Sequence, residues 1–178
     1  MKLIAITKPD FYDGEAAFIK RLFESGFDIV HLRKPNSDID NCRNILNELS
    51  SEERSRIVVH DYPELYYEFS LKGIHINKNI VKYPEGYQGF KTRSCHSLEE
   101  VKLYKGEFDY VFLSPIFDSI SKQGYKSAFT QDELRRASEE GIIDEKVVAL
   151  GGVTYDKISL LKDLGFGGAA MMGGAFIN

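Results

Sequence analysis

Cysteine is scarce: two residues in 178, far apart and without a C-x-x-C pair. That excludes a disulfide framework, and Cys42 and Cys95 read as free thiols of a reducing cytoplasm. Positive charge is not in excess either, since 23 lysines and arginines face 27 aspartates and glutamates, a net charge of −4. A general nucleic-acid binder would carry a basic excess, so that class is set aside. No apolar run approaches the roughly 20 residues that span a bilayer, and no membrane partner is expected. The opening MKLIAITKPD is too short in its apolar part for a signal peptide and reads as a first strand. Linkers, repeats and low-complexity segments are missing too. A hydrophobic fraction of 43% suffices for one core, so a single domain over 1–178 is expected.

What is present is a regular alternation of short apolar runs and amphipathic stretches. Candidate strands are Leu3–Thr7, Asp28–Arg33, Arg56–Asp61, Gly73–Asn77, Phe90–His96, Tyr110–Ile116, Lys146–Gly151 and Gly168–Gly173. Eight is the number a closed (β/α)8 barrel, the TIM barrel, requires. An open doubly wound sheet is the alternative and would usually use fewer strands. Helical patterns lie between most runs. Glu15–Ser25 carries Ala17, Phe18, Leu22 and Phe23 near helical spacing, with Gly26 as a stop. Ser97 reads as an N-cap ahead of Glu99 and Glu100. Thr154–Leu164 repeats the pattern and ends at Gly165. The segment from Lys78 to Gly89 shows no convincing helix, so the fourth crossover is expected to be minimal. The eighth helix is expected to be absent, because the sequence stops at Asn178.

Polar residues occur where a barrel should be filled. Alternate strand residues face the lumen, which puts His31 and Arg33 on one face of the second strand, and His75 and Asn77 on one face of the fourth. Thr92, Ser94 and His96 share a parity on the fifth. All four histidines (His31, His60, His75, His96) fall on or at the ends of successive strands. Burying an unpaired polar group costs on the order of 1–3 kcal/mol, so a purely structural barrel would not collect them. Metal ligation is one reading, but no H-x-H or H-x-x-x-H pair occurs. A pocket for an anionic substrate fits better, with charge from Arg33 and Lys122 and donors from histidines and serines. The loop from Ser114 to Lys126 adds Ser119, Ser121 and Lys122, which could close over a phosphate. Glycine pairs end the last two strands, Gly151-Gly152 and Gly173-Gly174. Such pairs serve as plain turns, or let backbone N–H groups approach an anion, as the loops after strands 7 and 8 of many barrels do.

In order and spacing these segments resemble the thiamine phosphate synthase family and its relative, the thiazole tautomerase, from Leu3 to Phe176. The family's Q-x-R-E-K is represented by His31-Leu32-Arg33-Lys34-Pro35, and its N-D-D by His60-Asp61-Tyr62. G-[IV]-H-[IL]-G-Q-x-D corresponds to Gly73 through Ile80. S-x-H-[ST]-x-E-E is kept as Ser94 through Glu100, and G-P-[IV]-[FY]-P-T-x-[TS]-K is close in Ser114 through Lys122. Gly151-Gly152-Val153 keeps G-G-[IV].

The resemblance implies a transferase of thiamine biosynthesis. It would join an aminopyrimidine pyrophosphate (hydroxymethylpyrimidine pyrophosphate) to a thiazole phosphate, releasing pyrophosphate through a pyrimidine-stabilised cation. Its partners would be small-molecule phosphates and pyrophosphates, with a homo-oligomer as the open question of assembly. By resemblance Arg33, Ser94 and Lys122 are the catalytic group, with His31, His60, Ser119 and Ser121 beside them at the substrate. Gly152, Gly173 and Gly174 would hold the thiazole phosphate, and Asp61 would hold magnesium (Mg2+). Four positions depart from the family: Pro35 replaces its second-strand lysine, with Lys34 adjacent, and Ile80 replaces its second magnesium carboxylate. His31 and His60 stand for its glutamine and asparagine. Two alternatives accompany this reading: a thiazole phosphate tautomerase, whose histidine position is Pro115 here, and a non-catalytic thiazole or thiamine phosphate-binding protein.

Overall fold

Each of the eight apolar runs forms a strand in the computed structural model, which describes residues 1–35, 37–77, 80–118 and 127–172. The strands are β1 (Lys2–Ile6), β2 (Ile29–Leu32), β3 (Ile57–Val59), β4 (Gly73–Ile76), β5 (Phe90–Cys95), β6 (Tyr110–Leu113), β7 (Val147–Leu150) and β8 (Gly168–Met172). They hydrogen-bond in sequence order as a closed parallel barrel. A parallel sheet covered on both faces favours continuous apolar strands. Accordingly, every residue of β2, β3, β4 and β6 is buried. The helices are α1 (Glu15–Glu24), α2 (Ile39–Asn47), α3 (Ser51–Arg54), α4 (Glu64–Phe69), α5 (Leu98–Tyr104), α6 (Gln131–Glu139) and α7 (Ile158–Asp163). None is long and apolar enough to cross a membrane. The TIM-barrel expectation holds.

The chain divides into two compact units, Ile4–Lys91 and Thr92–Asn178 with Met1–Leu3. In the first, helix α1 ends as expected, with Gly26 at φ 94°. Its buried face differs from the sequence reading. Glu15, Ala16, Ile19, Leu22 and Phe23 face inward, so Ala16 and Ile19 take the places expected of Ala17 and Phe18. The stripe starts one position earlier because its first member is a buried carboxylate, Glu15, held by Lys34.

The fourth crossover is minimal, as read: among the described residues no helix lies between β4 and β5. Tyr87 fills the gap. Its hydroxyl accepts the Ile74 N–H at 2.8 Å and donates to the Phe90 carbonyl at 2.7 Å. Its ring stacks on Tyr83 at 4.7 Å and meets Tyr66 edge-on at 4.8 Å.

In the second unit, α5 carries the expected cap: the Ser97 side chain accepts the Glu100 N–H, and the Glu100 carboxylate takes the His96 N–H at 2.6 Å. The sixth strand is shorter than expected and gives way to a cis Ser114-Pro115 bond.

Candidate active site

Within the first unit, polar side chains gather at the C-terminal ends of β2, β3 and β4. Strand register explains their meeting. Val59 of β3 pairs with Ile74 of β4, so the next residues, His60 and His75, stand side by side. Their rings stack with centroids 4.0 Å apart and 15° between planes. His31 of β2 meets both rings edge-on, with centroids 4.9 Å from His60 and 5.6 Å from His75, and its Nδ1 lies 2.7 Å from His60 Nε2. Burial removes water from both imidazoles and pushes their pKa values well below the ordinary histidine range; the charge of Arg33 presses His60 in the same direction. The pair is therefore neutral at pH 7.

Arg33 follows directly. Its backbone N–H donates to Thr7 Oγ1 at 3.0 Å, and that hydroxyl lies 3.3 Å from the Arg33 carbonyl. The half-buried guanidinium makes no ion pair with a described carboxylate. Asp61 follows His60, and one of its oxygens, Oδ2, accepts the Lys34 N–H at 3.1 Å. Tyr62, the next residue, holds a left-handed φ of 56°, and its hydroxyl donates to the Ser37 carbonyl. Strained backbone of this kind concentrates at functional sites. Asn77 donates to the His60 carbonyl at 2.6 Å, and its side-chain oxygen accepts the Ile80 N–H at 3.0 Å.

Lys34, the cation next to Pro35, is committed elsewhere. Its ammonium lies 2.6 and 2.7 Å from the two Glu15 oxygens, and it donates to the carbonyls of Lys8 and Asp10 at 2.9 and 3.0 Å. It also sits 4.6 Å over the Phe11 ring. With side-chain exposures of 0% and 2%, the Lys34–Glu15 pair is internal structure. Lys34 therefore does not replace the missing second-strand lysine. Nothing in the sequence marks this pair; it shows in the structure as the shifted face of α1.

Within the second unit, Ser94 is half-buried on β5 opposite Phe112 of β6. His96 is exposed just beyond, with Nδ1 3.2 Å from the Ser114 carbonyl and 3.3 Å from its hydroxyl. The first glycine pair follows β7. Gly152 has φ 60°, and a Cβ there would sit 2.2 Å from the Asp118 carbonyl oxygen. The approach that requires glycine is thus made by the chain after β6: Ile116 donates to the Leu150 carbonyl and Phe117 to the Gly151 carbonyl, at 2.9 and 3.0 Å. The Gly152 carbonyl accepts from Lys157 Nζ at 2.6 Å. Its N–H meets no acceptor among the described residues. Asp118 accepts the Ser127 N–H at 2.7 Å and so brackets the intervening segment. Ser119, Ser121 and Lys122 of that segment, and Gly173 and Gly174, lie outside the described residues.

The structure thus brings His31, His60, Arg33 and Asp61 together in one unit and holds Ser94 and Gly152 in the other. It adds His75 and Asn77 to the first group. Parity had placed these two on an inner face; His75 was counted with the other histidines as a candidate metal ligand or donor, and Asn77 was given no site role.

Comparison with known proteins gives this arrangement its context. The model of the thiamine monophosphate synthase family matches residues 3–175. A thiamine phosphate pyrophosphorylase from Bacteroides thetaiotaomicron is 44% identical over 97% of this chain and 83% of its own, with a TM-score of 0.89. The corresponding protein of Pyrococcus furiosus, 21% identical over 96% of this chain and 85% of its own, shares the fold with a TM-score of 0.74. Thiamine-phosphate synthase of Halalkalibacterium halodurans is 24% identical over 92% of this chain and 82% of its own. These relatives are named for the transferase, which disfavours the tautomerase alternative. The match runs through nearly every strand of the barrel, and on it the chain belongs to the thiamine monophosphate synthase family.

Proposed function

We propose that this chain is itself a thiamine phosphate synthase, joining an aminopyrimidine pyrophosphate to a thiazole phosphate and releasing pyrophosphate. The observation that carries the reading is the grouping of Arg33, two neutral buried histidines and Asp61 at the ends of β2 and β3. Active sites of such barrels form at the C-terminal ends of the strands.

Each group has a task in a dissociative reaction. When the pyrophosphate departs, negative charge grows on its oxygens and positive charge on the pyrimidine carbon. Arg33, whose backbone is braced by Thr7, meets the first with its guanidinium. His31 and His60, neutral when no ion is bound, add no charge that would oppose the cation. Ser94 donates a hydroxyl, and Ser119, Ser121 and Lys122 complete the clamp on the leaving group. The N–H of Gly152, with Gly173 and Gly174, receives the thiazole phosphate.

Magnesium is the family's implied cation, and the donors allow it in reduced form. Asp61 is half-buried and has one oxygen beyond the one that accepts the Lys34 N–H. Ile80 offers no oxygen from its side chain, and Mg2+ commonly binds through one or two carboxylates plus substrate phosphates. Asp61 with pyrophosphate oxygens would hold it, and bound there it would neutralise leaving-group charge. The substrates in this reading are two small phosphorylated molecules, and two buried free thiols accord with a reducing cytoplasm.

The test is a coupling assay with both substrates and Mg2+, following the fluorescent oxidation product of thiamine phosphate. Product that disappears in Lys122→Ala supports the synthase. No product, with thiazole phosphate still bound, would overturn it in favour of a binding protein.

A further inference from the structure

Three imidazoles are packed into one corner of the first unit: His31 and His60 share a hydrogen bond, and His75 stacks on His60. We propose that His31, His60 and His75 form a binding site for one divalent transition-metal ion of the zinc, cobalt(II) or nickel(II) class, with one coordination position left open.

The three come from β2, the end of β3 and β4, on successive strands of the barrel. One ring nitrogen of each lies within 4.8 Å of the other two. A tetrahedral ion with metal–nitrogen bonds of about 2.0–2.1 Å sets its ligand nitrogens roughly 3.3 Å apart. The observed spacings, from 2.7 Å between His31 and His60 to at most 4.8 Å, bracket that value. The ion replaces the His31–His60 hydrogen bond with two coordinate bonds, and the His60 and His75 rings turn out of their 15° stack so that both planes meet at the metal. All three residues are buried, at 0%, 5% and 1% exposure. Burial also keeps His31 and His60 unprotonated near neutral pH, the form that ligates.

Donor chemistry selects the ion. Three imidazole nitrogens suit zinc, cobalt and nickel, while magnesium takes oxygen. The site is thus distinct from the carboxylate of Asp61. Three protein ligands and one open position is the pattern of zinc sites that receive a water or substrate. The cation of Arg33 beside His60 opposes a dication there. An anionic oxygen in the open position offsets it, so inorganic phosphate should tighten metal binding. The inference does not rest on the synthase reading, because metal binding is measured without either substrate.

The experiment treats the full chain with chelator, removes the chelator and titrates Co2+, following the visible ligand-field absorption. One equivalent should develop the band of a four- or five-coordinate nitrogen site. Zn2+ should displace it, and a large excess of Mg2+ should not. His60→Asn and His31→Gln, which install the residue types of the family motif, should weaken Co2+ binding by more than about 100-fold, beyond the effect of losing an outer-shell partner. Circular dichroism checks that each variant folds. The wild type supplies a second readout: one equivalent of Zn2+ should shift the ring-nitrogen resonances of three histidines and leave exposed His96 unchanged. Absence of the band, its persistence in His60→Asn, or unshifted histidine resonances would overturn the proposal.

Discussion

Replacing Lys34 by methionine keeps most of its stem volume, removes its charge and leaves the Glu15 carboxylate buried without a cation. Breaking a buried pair from one side typically costs about 3–5 kcal/mol, a large share of the roughly 5–15 kcal/mol that holds a domain folded. With a urea dependence of about 2–3 kcal/mol per molar, the unfolding midpoint should fall by roughly 1–2 M. The loss should depend on pH. Burial already raises the Glu15 pKa, and the bond and charge of Lys34 restrain that rise. Without Lys34 the folded-state value climbs further above the unfolded one. Such a group stabilises below its unfolded pKa, and the contribution is lost as pH rises through the folded pKa. Lys34→Met should therefore lie closest to wild type near pH 5 and furthest from it near pH 8. The double variant Lys34→Met/Glu15→Gln should recover much of the loss, because no charge is stranded. Urea titrations at the two pH values provide the measurement, with pyrophosphate affinity measured by calorimetry alongside. An unchanged midpoint with lost pyrophosphate binding would refute the structural role and place Lys34 at the substrate.

Further outcomes follow from the same contacts. His31 and His60 titrate at depressed pKa values in the folded state, so the unfolded chain takes up protons first as pH falls below ~6.5. Stability should drop by up to about 3 kcal/mol per pH unit from the two together, and His31→Gln should halve that slope; a slope unaltered by the substitution would refute it. Gly152→Ala, with φ 60° and the Asp118 carbonyl 2.2 Å from the new Cβ, should lower stability by at least about 2 kcal/mol and the melting temperature by roughly 4–8 °C; an unshifted melting temperature would count against that close approach. Ile80→Asp should tighten Mg2+-dependent pyrophosphate binding, and calorimetry showing no gain would mean that Asp61 is not the metal's anchor. Lys122→Ala should weaken pyrophosphate binding roughly tenfold with an unchanged melting temperature, as expected for one charge-assisted contact.

Strands were the legible part of this chain because parallel strands covered on both faces need uninterrupted apolar runs, and VVAL and YVFL supply them. The inner faces were legible too, since side-chain alternation is a local property. What alternation cannot give is the stagger between neighbouring strands. That stagger, seen in Val59 opposite Ile74, puts His60 against His75. His31 and His75 could be read on inner faces, but not their meeting with His60 within a few ångströms. The face of α1 was misread because a stripe beginning with glutamate does not look apolar. Its partner, Lys34, lies 19 residues away with no local pattern to announce it. The glycines at β7 could be read as a turn or as an anion approach; the close contact of Gly152 with the Asp118 carbonyl is a long-range reason for glycine that no local pattern announces.

Tyr87 stands where the other crossovers of this unit use helices, and that substitution makes one amide an unusual witness. The Ile74 N–H is held by a phenol hydroxyl. When the segment carrying Tyr87 swings away, this proton meets solvent although the strand beneath it remains in place. Its hydrogen exchange should follow the opening of that segment alone, at a smaller free energy than the exchange of β3 amides, which wait for wider unfolding. The segment carrying Tyr87 is therefore a place where the first unit should open locally while its strands stay folded.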